Sequence, residues 1–169
     1  MNLEIIVYGS PIAQPRARSR AFMVKGKIHV RAYEPETSKD KNTGIRKVNP
    51  IYEWKQAVRK ACYDALGITE NEHYEGRRPP LWEGPIKMDL TLYFPRPKEY
   101  DKKQYPDGPI RHIKKPDRDN MEKAILDSMK GIIFVDDCQV CDGTVRKYYH
   151  GRTQRPHALI QIAQIHETY

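Results

Sequence analysis

The sequence predicts an α+β fold in which two main helices pack on one face of a small mixed β-sheet. Apolar residues alternate strictly from Ile86 to Phe94, which is the period-two pattern of a half-buried strand. Two other segments, 50–66 and 119–130, carry apolar residues at helical spacing. The order strand, helix, strand, helix and further strands is typical of α+β domains. A chain of 169 residues fits one domain, which we expect to span 1–169.

The first 50 residues are predicted to hold one strand and one hairpin. Residues 3–8 are mostly apolar and end at a glycine, so they form the first strand. The following segment, 10–50, is basic and rich in turn residues. Within it, Gly26 separates 21–25 from 27–31, which indicates a short hairpin.

Capping residues define the first helix, 50–66. Asn49 can cap its start, Pro50 suits its first position, and Gly67 suits its end. Trp54 lies in its apolar stripe, so core packing is favoured over a role as a base-stacking platform. The predicted stripe consists of Ile51, Trp54, Val58, Ala61, Cys62 and Ala65.

The second half is predicted to alternate long loops with regular elements. The segments 67–85 and 96–116 contain several prolines and read as long connections. A second helix over 119–130 is expected to bury Met121, Ala124, Ile125, Ser128 and Met129. The apolar run 132–135 is predicted to be a short buried strand. Two antiparallel strands, 143–149 and 158–165, are expected around a turn at 151–156.

Composition points to a polyanionic partner. The formal net charge is +8, and the basic residues concentrate in 16–31 and 96–115, where Arg96 begins the second segment. Neither segment has a sustained apolar face, and no run reaches the length of a membrane span, so no membrane partner is expected. No signal peptide follows Met1, which predicts a cytoplasmic protein. Three cysteines argue against a disulfide framework, and the pair Cys138-x-x-Cys141 is interpreted as ordinary strand residues.

Acidic residues nevertheless cluster in one segment, 115–137, which contains five aspartates. Asp119, Lys123 and Asp127 recur every fourth residue, so they share one helical face. Taken singly, Asp119 could be a helix cap and Asp127 a salt-bridge partner of Lys123. That explanation does not cover Asp117 or the two aspartates after the apolar run, because acids that end a buried strand are costly unless solvated or bound to a cation.

A fold-back of this segment would make Asp117, Asp119 and Asp137 converge. Converging carboxylates repel one another, so they usually need protons or a divalent cation. In phosphodiester hydrolysis, Mg²⁺ activates a water and stabilises charge on the attacking and leaving oxygens. Lys123, one turn beyond Asp119, is placed to hold the scissile phosphate. The sequence therefore predicts a nuclease, with an acidic site inside a basic surface.

The polar residues of this segment resemble the signature of the RusA Holliday junction resolvases. That signature reads approximately K-P-D-x-D-N-x-x-K-x-x-x-D, followed by a short apolar run and D-D-x-Q. The matching residues are Lys115, Pro116, Asp117, Asp119, Asn120, Lys123, Asp127, Asp136, Asp137 and Gln139. The likeness is strong over 115–139 and looser elsewhere, and the connections 67–85 and 96–114 are long compared with those of compact members.

The resemblance implies a small homodimeric endonuclease, bacterial or phage-encoded, that acts in DNA recombination and repair. Such enzymes use Mg²⁺, or Mn²⁺ in its place, to nick two symmetry-related strands of a four-way DNA junction, and need no organic cofactor. The implied catalytic residues are Asp117, Asp119, Asp137 and Lys123, and the implied metal ligands are the three aspartates with Asp136. Supporting roles are expected for Asn120, Asp127 and Gln139. Residues expected to bind DNA are Arg16, Arg18, Arg20, Lys114 and Lys115.

Two other functions remain open from the sequence. The same site could serve a nuclease that acts on flaps or forks. A non-catalytic, structure-specific DNA-binding protein would instead use the aspartates only as caps and salt bridges.

The basic segment 16–31 yields a first prediction. Replacing Arg16, Arg18 and Arg20 together by alanine should weaken DNA binding, because fewer phosphates are neutralised and fewer counterions are released. The slope of log affinity against log salt should become shallower by up to about 0.9 per lost phosphate contact. Titrations at several salt concentrations measure this slope, and an unchanged slope would remove the segment from the DNA interface.

Overall fold

A five-stranded mixed β-sheet is the centre of the computed structural model, which describes residues 1–15, 18–33, 37–39, 44, 46–76 and 80–166. The strands are β1 (Asn2–Tyr8), β2 (Arg18–Val24), β3 (Lys27–Tyr33), β4 (Thr37–Lys39), β5 (Arg46–Val48), β6 (Ile86–Phe94), β7 (Ile110–Arg111), β8 (Val140–Tyr149) and β9 (His157–Gln164). The helices are α1 (Pro50–Leu66), α2 (Glu70–Tyr74) and α3 (Arg118–Met129). The predicted α+β class with a mixed sheet is confirmed.

Strand β6 organises the sheet, whose order is β1-β9-β6-β8-β7. It pairs in parallel with β8 on one side and antiparallel with β9 on the other. The strands predicted over 143–149 and 158–165 are therefore present and antiparallel, but they are not neighbours. Alternation along β6 buries Ile86, Met88, Leu90, Leu92 and Phe94 on a single face.

Helices α1 and α3 cover this buried face. The side chain of Asn49 accepts a hydrogen bond from the Ile51 N–H (3.2 Å), and Gly67 ends α1 with a φ of 69°, as predicted. Trp54 is 3% exposed and belongs to the core, which confirms its packing role. The predicted inner face of the second helix is also confirmed, since Met121, Ala124, Ile125, Ser128 and Met129 are all buried.

The predicted strand over 132–135 is wrong. The chain turns sharply there, because Gly131 has a φ of 75° and the N–H groups of Ile132 and Ile133 both donate to the Met129 carbonyl (3.0 Å each). The Gly131 N–H donates a hydrogen bond to the Phe134 carbonyl (2.8 Å), which closes the turn. The apolar run thus fills the core as a turn rather than as a strand, and Val135 is exposed.

The two long connections contain more structure than expected. Helix α2 forms within 67–85, where Thr69 and Glu72 make a capping box. The loop after β6 is held by Arg96, whose guanidinium donates to the carbonyls of Tyr100 (2.6 Å) and Pro106 (2.7 Å). The side chain of Arg96 is only 2% exposed, so its expected part in the DNA-facing segment is wrong.

Arg152 also stabilises the loop that follows β6. Its guanidinium donates to the carbonyls of Asp101 (3.0 Å) and Lys102 (2.8 Å) and forms an ion pair with Asp107. The two arginines thus organise this loop before the chain returns to the sheet as β7.

Aromatic rings form a row across the helix-free face of the sheet. Tyr8, His157, Tyr93 and Tyr148 lie in register on four neighbouring strands, and Tyr93 stacks on His157 with ring centroids 4.3 Å apart. The guanidinium carbon of Arg111 lies 4.9 Å from the Tyr148 ring centroid and extends the row to β7. Each aromatic pair contributes about 0.5–1.5 kcal/mol beyond burial, so the row ties all five strands together at one end.

The three cysteines form no disulfides, as expected, but Cys138 lies in the helical turn Asp137–Gln139 and not in a strand, so that part of the prediction is wrong. Cys62 is buried, and burial raises the pKa of its thiol to about 12, which keeps it unreactive at neutral pH. Cys138 and Cys141 are free and exposed, and Cys141 belongs to β8. Across the described ranges, the helices are too short or too polar to cross a membrane.

Close contact between β6 and β8 generates a prediction about stability. Gly143 has a φ of +139°, and a Cβ placed there would lie 1.9 Å from the Met88 carbonyl oxygen. Gly143→Ala should therefore lower the free energy of unfolding by about 3 kcal/mol or more, because the central pair of strands must separate or distort. Urea denaturation monitored by circular dichroism measures this loss.

Gly108→Ala is the matched control for that experiment. An added Cβ at Gly108 meets nothing within 4 Å. The control should change stability by less than about 1 kcal/mol. Equal effects of the two substitutions would contradict the close packing at Gly143.

Candidate active site

The start of α3 presents two of the predicted catalytic aspartates. Asp117 is the N-cap residue, with extended backbone (φ −71°, ψ 149°), and its carbonyl accepts from the Met121 N–H (3.3 Å). Asp119 lies in the first turn, and both side chains are exposed. A helix N-terminus carries partial positive charge, which favours negatively charged side chains at these positions. The site thus offers two solvent-facing carboxylates within a single helical turn.

A partly buried lysine, which the sequence analysis did not single out, holds the segment before Asp117. The Lys147 ammonium donates to the carbonyls of Lys114 (2.8 Å) and Pro116. Burial lowers the pKa of Lys147, and the nearby Asp117 carboxylate partly opposes this shift. Lys147 therefore positions the backbone that leads into the candidate site.

The remaining polar residues of α3 divide between solvent and structure. Lys123 is exposed, one turn beyond Asp119, as expected for a phosphate-binding lysine. Asp127 forms an ion pair with Lys55 of α1 (3.4 Å) rather than with Lys123. Asp127 therefore joins the two main helices, and its supporting role in catalysis stays a prediction.

The other predicted acids, Asp136 and Asp137, lie in a turn at the opposite end of α3. Lys130, which follows the last residue of α3, forms ion pairs with Asp136 and with Asp137 (3.5 Å for the latter). The Lys130 ammonium holds the pKa of Asp136 well below its usual range, and Asp136 in turn raises the pKa of Lys130. One lysine that sequence analysis missed therefore holds both aspartates together.

Gln139 fixes this acidic turn to the start of β6. Its amide oxygen accepts from the Asp136 N–H (2.8 Å), and its amide nitrogen donates to the carbonyls of Trp82 (2.9 Å) and Gly84 (3.0 Å). Asp136 in turn accepts from the Cys138 N–H (3.1 Å). The Gln139 side chain therefore provides hydrogen-bond partners for three backbone groups and holds the turn that carries Asp136 and Asp137. This contact is consistent with its predicted supporting role, which stays a prediction.

One chain does not bring the two acidic groups together. With a rise of about 1.5 Å per residue, α3 separates the backbones of Asp117 and Lys130 by about 20 Å. Asp136 and Asp137 bind Lys130, so they lie at the far end of the helix from Asp117 and Asp119. Across the described ranges, no group of three or more His, Cys, Asp or Glu side chains is placed to hold a metal ion. The metal-ligand assignment stays a prediction.

The predicted DNA-binding residues are only partly described. Arg16 lies outside the described residues, and the structure places Arg18 and Arg20 in β2 by backbone alone. Lys115 is exposed, whereas Lys114 forms an exposed ion pair with Glu99 (3.1 Å). Exposed pairs of this kind are weak, so Lys114 can exchange its partner for a phosphate.

A family comparison decides what kind of protein carries this site. The family model described as endodeoxyribonuclease RusA matches residues 9–163, which includes both acidic groups, Lys123 and Gln139. The chain belongs to the RusA endodeoxyribonuclease family. Members of the RusA family are endonucleases of branched DNA and generally depend on divalent metal ions. The resemblance seen in the sequence is thereby confirmed.

A curated relative from a bacterium matches nearly the whole chain. The protein, "Uncharacterized protein YqaN" of Bacillus subtilis (strain 168), is 29% identical over 168 residues, covering 96% of each chain. The similarity therefore extends across the residues that match the RusA family model, including the long connections 67–85 and 96–114.

Proposed function

We propose that this protein is a Mg²⁺-dependent endonuclease that resolves four-way DNA junctions by paired symmetric nicks. Its single RusA-like domain, 1–169, would act on DNA in the bacterial cytoplasm during recombination and repair. The observation that carries the proposal is the pair of exposed carboxylates, Asp117 and Asp119, at the start of α3 with Lys123 one turn away. A net charge of +8 around this acidic site suits a phosphate-rich substrate.

The carboxylates at the start of α3 fit a magnesium ion. Mg²⁺ prefers oxygen ligands, keeps several waters, and is usually held by one or two carboxylates together with substrate phosphates. Two solvent-exposed carboxylates, Asp117 and Asp119, suit this coordination better than a site that surrounds the ion with protein ligands would. Bound Mg²⁺, or Mn²⁺ in its place, would supply a water of lowered pKa and neutralise charge on the reacting phosphate. Lys123 would hold that phosphate through its ammonium.

A two-fold dimer would complete the site. Because the acidic groups lie at opposite ends of α3, two antiparallel α3 helices related by a two-fold axis would place one helix start beside the other helix end. Asp117 and Asp119 would then meet Asp137 of the partner subunit, with Asp136 of the partner subunit beside it. The exposed ion pairs of Lys130 with these acids are weak enough to give way to a metal ion.

Two-fold symmetry also suits the substrate. A four-way junction has approximate two-fold symmetry, so a dimer with two equivalent sites can nick two strands at symmetric positions. Phosphate contacts from the basic segments would provide affinity without reading the base sequence. Each strand cut would thus require both protomers, which links junction resolution to dimer formation.

The first experiment asks for junction-specific, metal-dependent cleavage. The wild-type protein should nick an immobile four-way junction in Mg²⁺ or Mn²⁺ but not in EDTA, and should leave a linear duplex intact. Asp119→Asn should lower cleavage by at least about 1000-fold yet retain or tighten junction binding, because it removes a negative charge that faces phosphate. Denaturing gels and binding titrations measure the two effects.

Asp64→Asn is the matched control, because Asp64 is an exposed aspartate paired with Lys60 on α1, away from the site. It should cleave like the wild type. Binding that survives EDTA, with no cleavage in either metal, would instead favour an architectural DNA-binding protein. Preferential cutting of flaps or forks would assign the same site to another branched substrate.

Heterodimers test whether the site is shared between protomers. A heterodimer of Asp119→Asn with Asp137→Asn should nick one strand, because one composite site retains both aspartates. A heterodimer of wild type with the Asp119→Asn/Asp137→Asn double variant should be inactive, because neither composite site is complete. Differently tagged protomers, co-expressed and purified in tandem, provide both species for cleavage of the same junction.

A site contained within one chain makes the opposite prediction for both heterodimers. The first would be inactive, and the second would nick one strand. Activity of the second species alone would therefore overturn the shared site while leaving the nuclease assignment intact.

A further inference from the structure

The hairpin of β2 and β3 stands apart from the five-stranded sheet. Within the part of the chain that the structure describes, the two strands pair only with each other, over seven residue pairs from Arg18↔Tyr33 to Val24↔Lys27. Every residue from 21 to 31 is exposed. At about 3.3 Å per residue, each strand extends about 23 Å. Isolated two-stranded hairpins are only marginally stable in water, so a projecting arm of this length is suited to a partner that covers it.

The tip of the hairpin has a defined shape. Val24 pairs with Lys27, and the two residues between them, Lys25 and Gly26, have φ values of 51° and 74°. Positive φ at both central residues is the geometry of a type I′ turn, whose twist matches that of the strands. The arm therefore presents its tip residues on an ordered two-residue turn.

The two faces of the hairpin differ in chemistry. One face is apolar at the tip, where Met23 (71% exposed) pairs directly with Ile28 (73% exposed), and Val30 (69% exposed) follows on the same face two pairs further from the tip. On the opposite face, Phe22 stacks on His29 with ring centroids 5.8 Å apart. Large apolar side chains this exposed normally mark an interaction surface.

Charge selects nucleic acid as the occupant. The segment 18–33 contains five lysines and arginines and no aspartate or glutamate. The same arm of a second copy of this chain carries the same positive charge, so two arms would repel each other rather than pair. A duplex groove accepts a two-stranded β-ribbon, and proteins that bend DNA insert exposed apolar side chains between base steps.

The root of the arm lies beside the candidate catalytic residues. The Gln14 N–H donates to the carbonyl of Asn120 (2.9 Å), which directly follows Asp119. Arg18, where β2 begins, is four residues further along the chain, so it lies within about 14 Å of Gln14. DNA held by the arm would therefore pass close to the start of α3.

We propose that β2–β3 is an arm that enters the DNA at the branch point, and that Met23 and Ile28 wedge between base steps there. This inference rests on the proposed function, and it assigns branch selectivity to the apolar tip and general affinity to the cations of the arm. Bases are already poorly stacked at a branch, so the wedge costs less there than in linear duplex. Junctions would thus be preferred over duplex DNA, and the arm would help open the junction.

The test uses a four-way junction and a linear duplex, each carrying 2-aminopurine, a base analogue whose fluorescence rises on unstacking. In the junction, the analogue sits at the branch point. The test variant is Met23→Thr/Ile28→Thr, which retains strand-forming residues. Val30→Thr is the matched control, since it makes the same kind of change on the same face but further from the tip. Binding titrations in EDTA, cleavage in Mg²⁺ and sedimentation are measured for all three proteins.

We expect the wild type and Val30→Thr to raise junction fluorescence several-fold. The double variant should lose most of that rise and bind the junction about tenfold more weakly, while its duplex affinity changes less than about twofold. Met23→Leu/Ile28→Leu should restore both signals, which separates an apolar wedge from a folding defect. Because Met23 and Ile28 are exposed, the thermal midpoint of the double variant should match that of the wild type.

Two results would overturn the wedge without touching the nuclease assignment. The first is an unchanged fluorescence rise and junction affinity in the double variant, with normal cleavage by the wild type. The second is conversion of a dimer to monomers by the double variant, which would make the apolar tip a protein interface. A wild-type protein that neither binds nor cuts the junction would contradict the proposed function, and the wedge with it.

Discussion

The packing of α3 against the sheet is the constraint on which the candidate site depends. One face of this helix is buried in the core, and an ion pair between Asp127 and Lys55 adds a polar contact with α1. A helix held in this way is a rigid rod, so the positions of its two ends are set together. The carboxylates at its start and the acidic turn beyond its end therefore keep a constant separation. In the proposed dimer, a second copy of the same helix, reversed by two-fold symmetry, would supply the missing half of the site.

Two lysines of the same chain hold the acidic groups, or the backbone beside them, in place in the absence of substrate. Lys147 binds the backbone just before Asp117, and Lys130 holds Asp136 and Asp137 together. These lysines offset part of the repulsion that clustered carboxylates would otherwise create. The two lysines differ in exposure. Lys147 is partly buried and positions backbone, whereas Lys130 is exposed, so its ion pairs are weak. Such an arrangement is compatible with the proposed binding of a metal ion and phosphate.

The chain separates tasks between a rigid body and a projecting arm. The sheet, α1 and α3 carry the core and the carboxylates, whereas the hairpin of β2 and β3 carries exposed apolar and basic side chains with little burial. Catalytic side chains must be held in fixed positions, whereas an extended arm can contact a substrate at a distance from the core. The hydrogen bond from the Gln14 N–H to the Asn120 carbonyl links the chain that leads into the hairpin to the start of α3, beside the candidate catalytic carboxylates.

The sequence by itself determined the elements with strong local periodicity and the identity of the chemical motif. Alternation predicted the strand of Ile86–Phe94, and capping residues predicted both ends of Pro50–Leu66, because these signals involve residues only a few positions apart. Tertiary structure alone decided that β6 separates β8 from β9, that 132–135 is a turn, and that Asp127 pairs with Lys55. Short apolar runs carry no periodicity that distinguishes a strand from a buried turn. The separation of Asp117 from Asp137 is likewise invisible in the motif, because spacing along the chain does not say which end of a packed helix a residue meets.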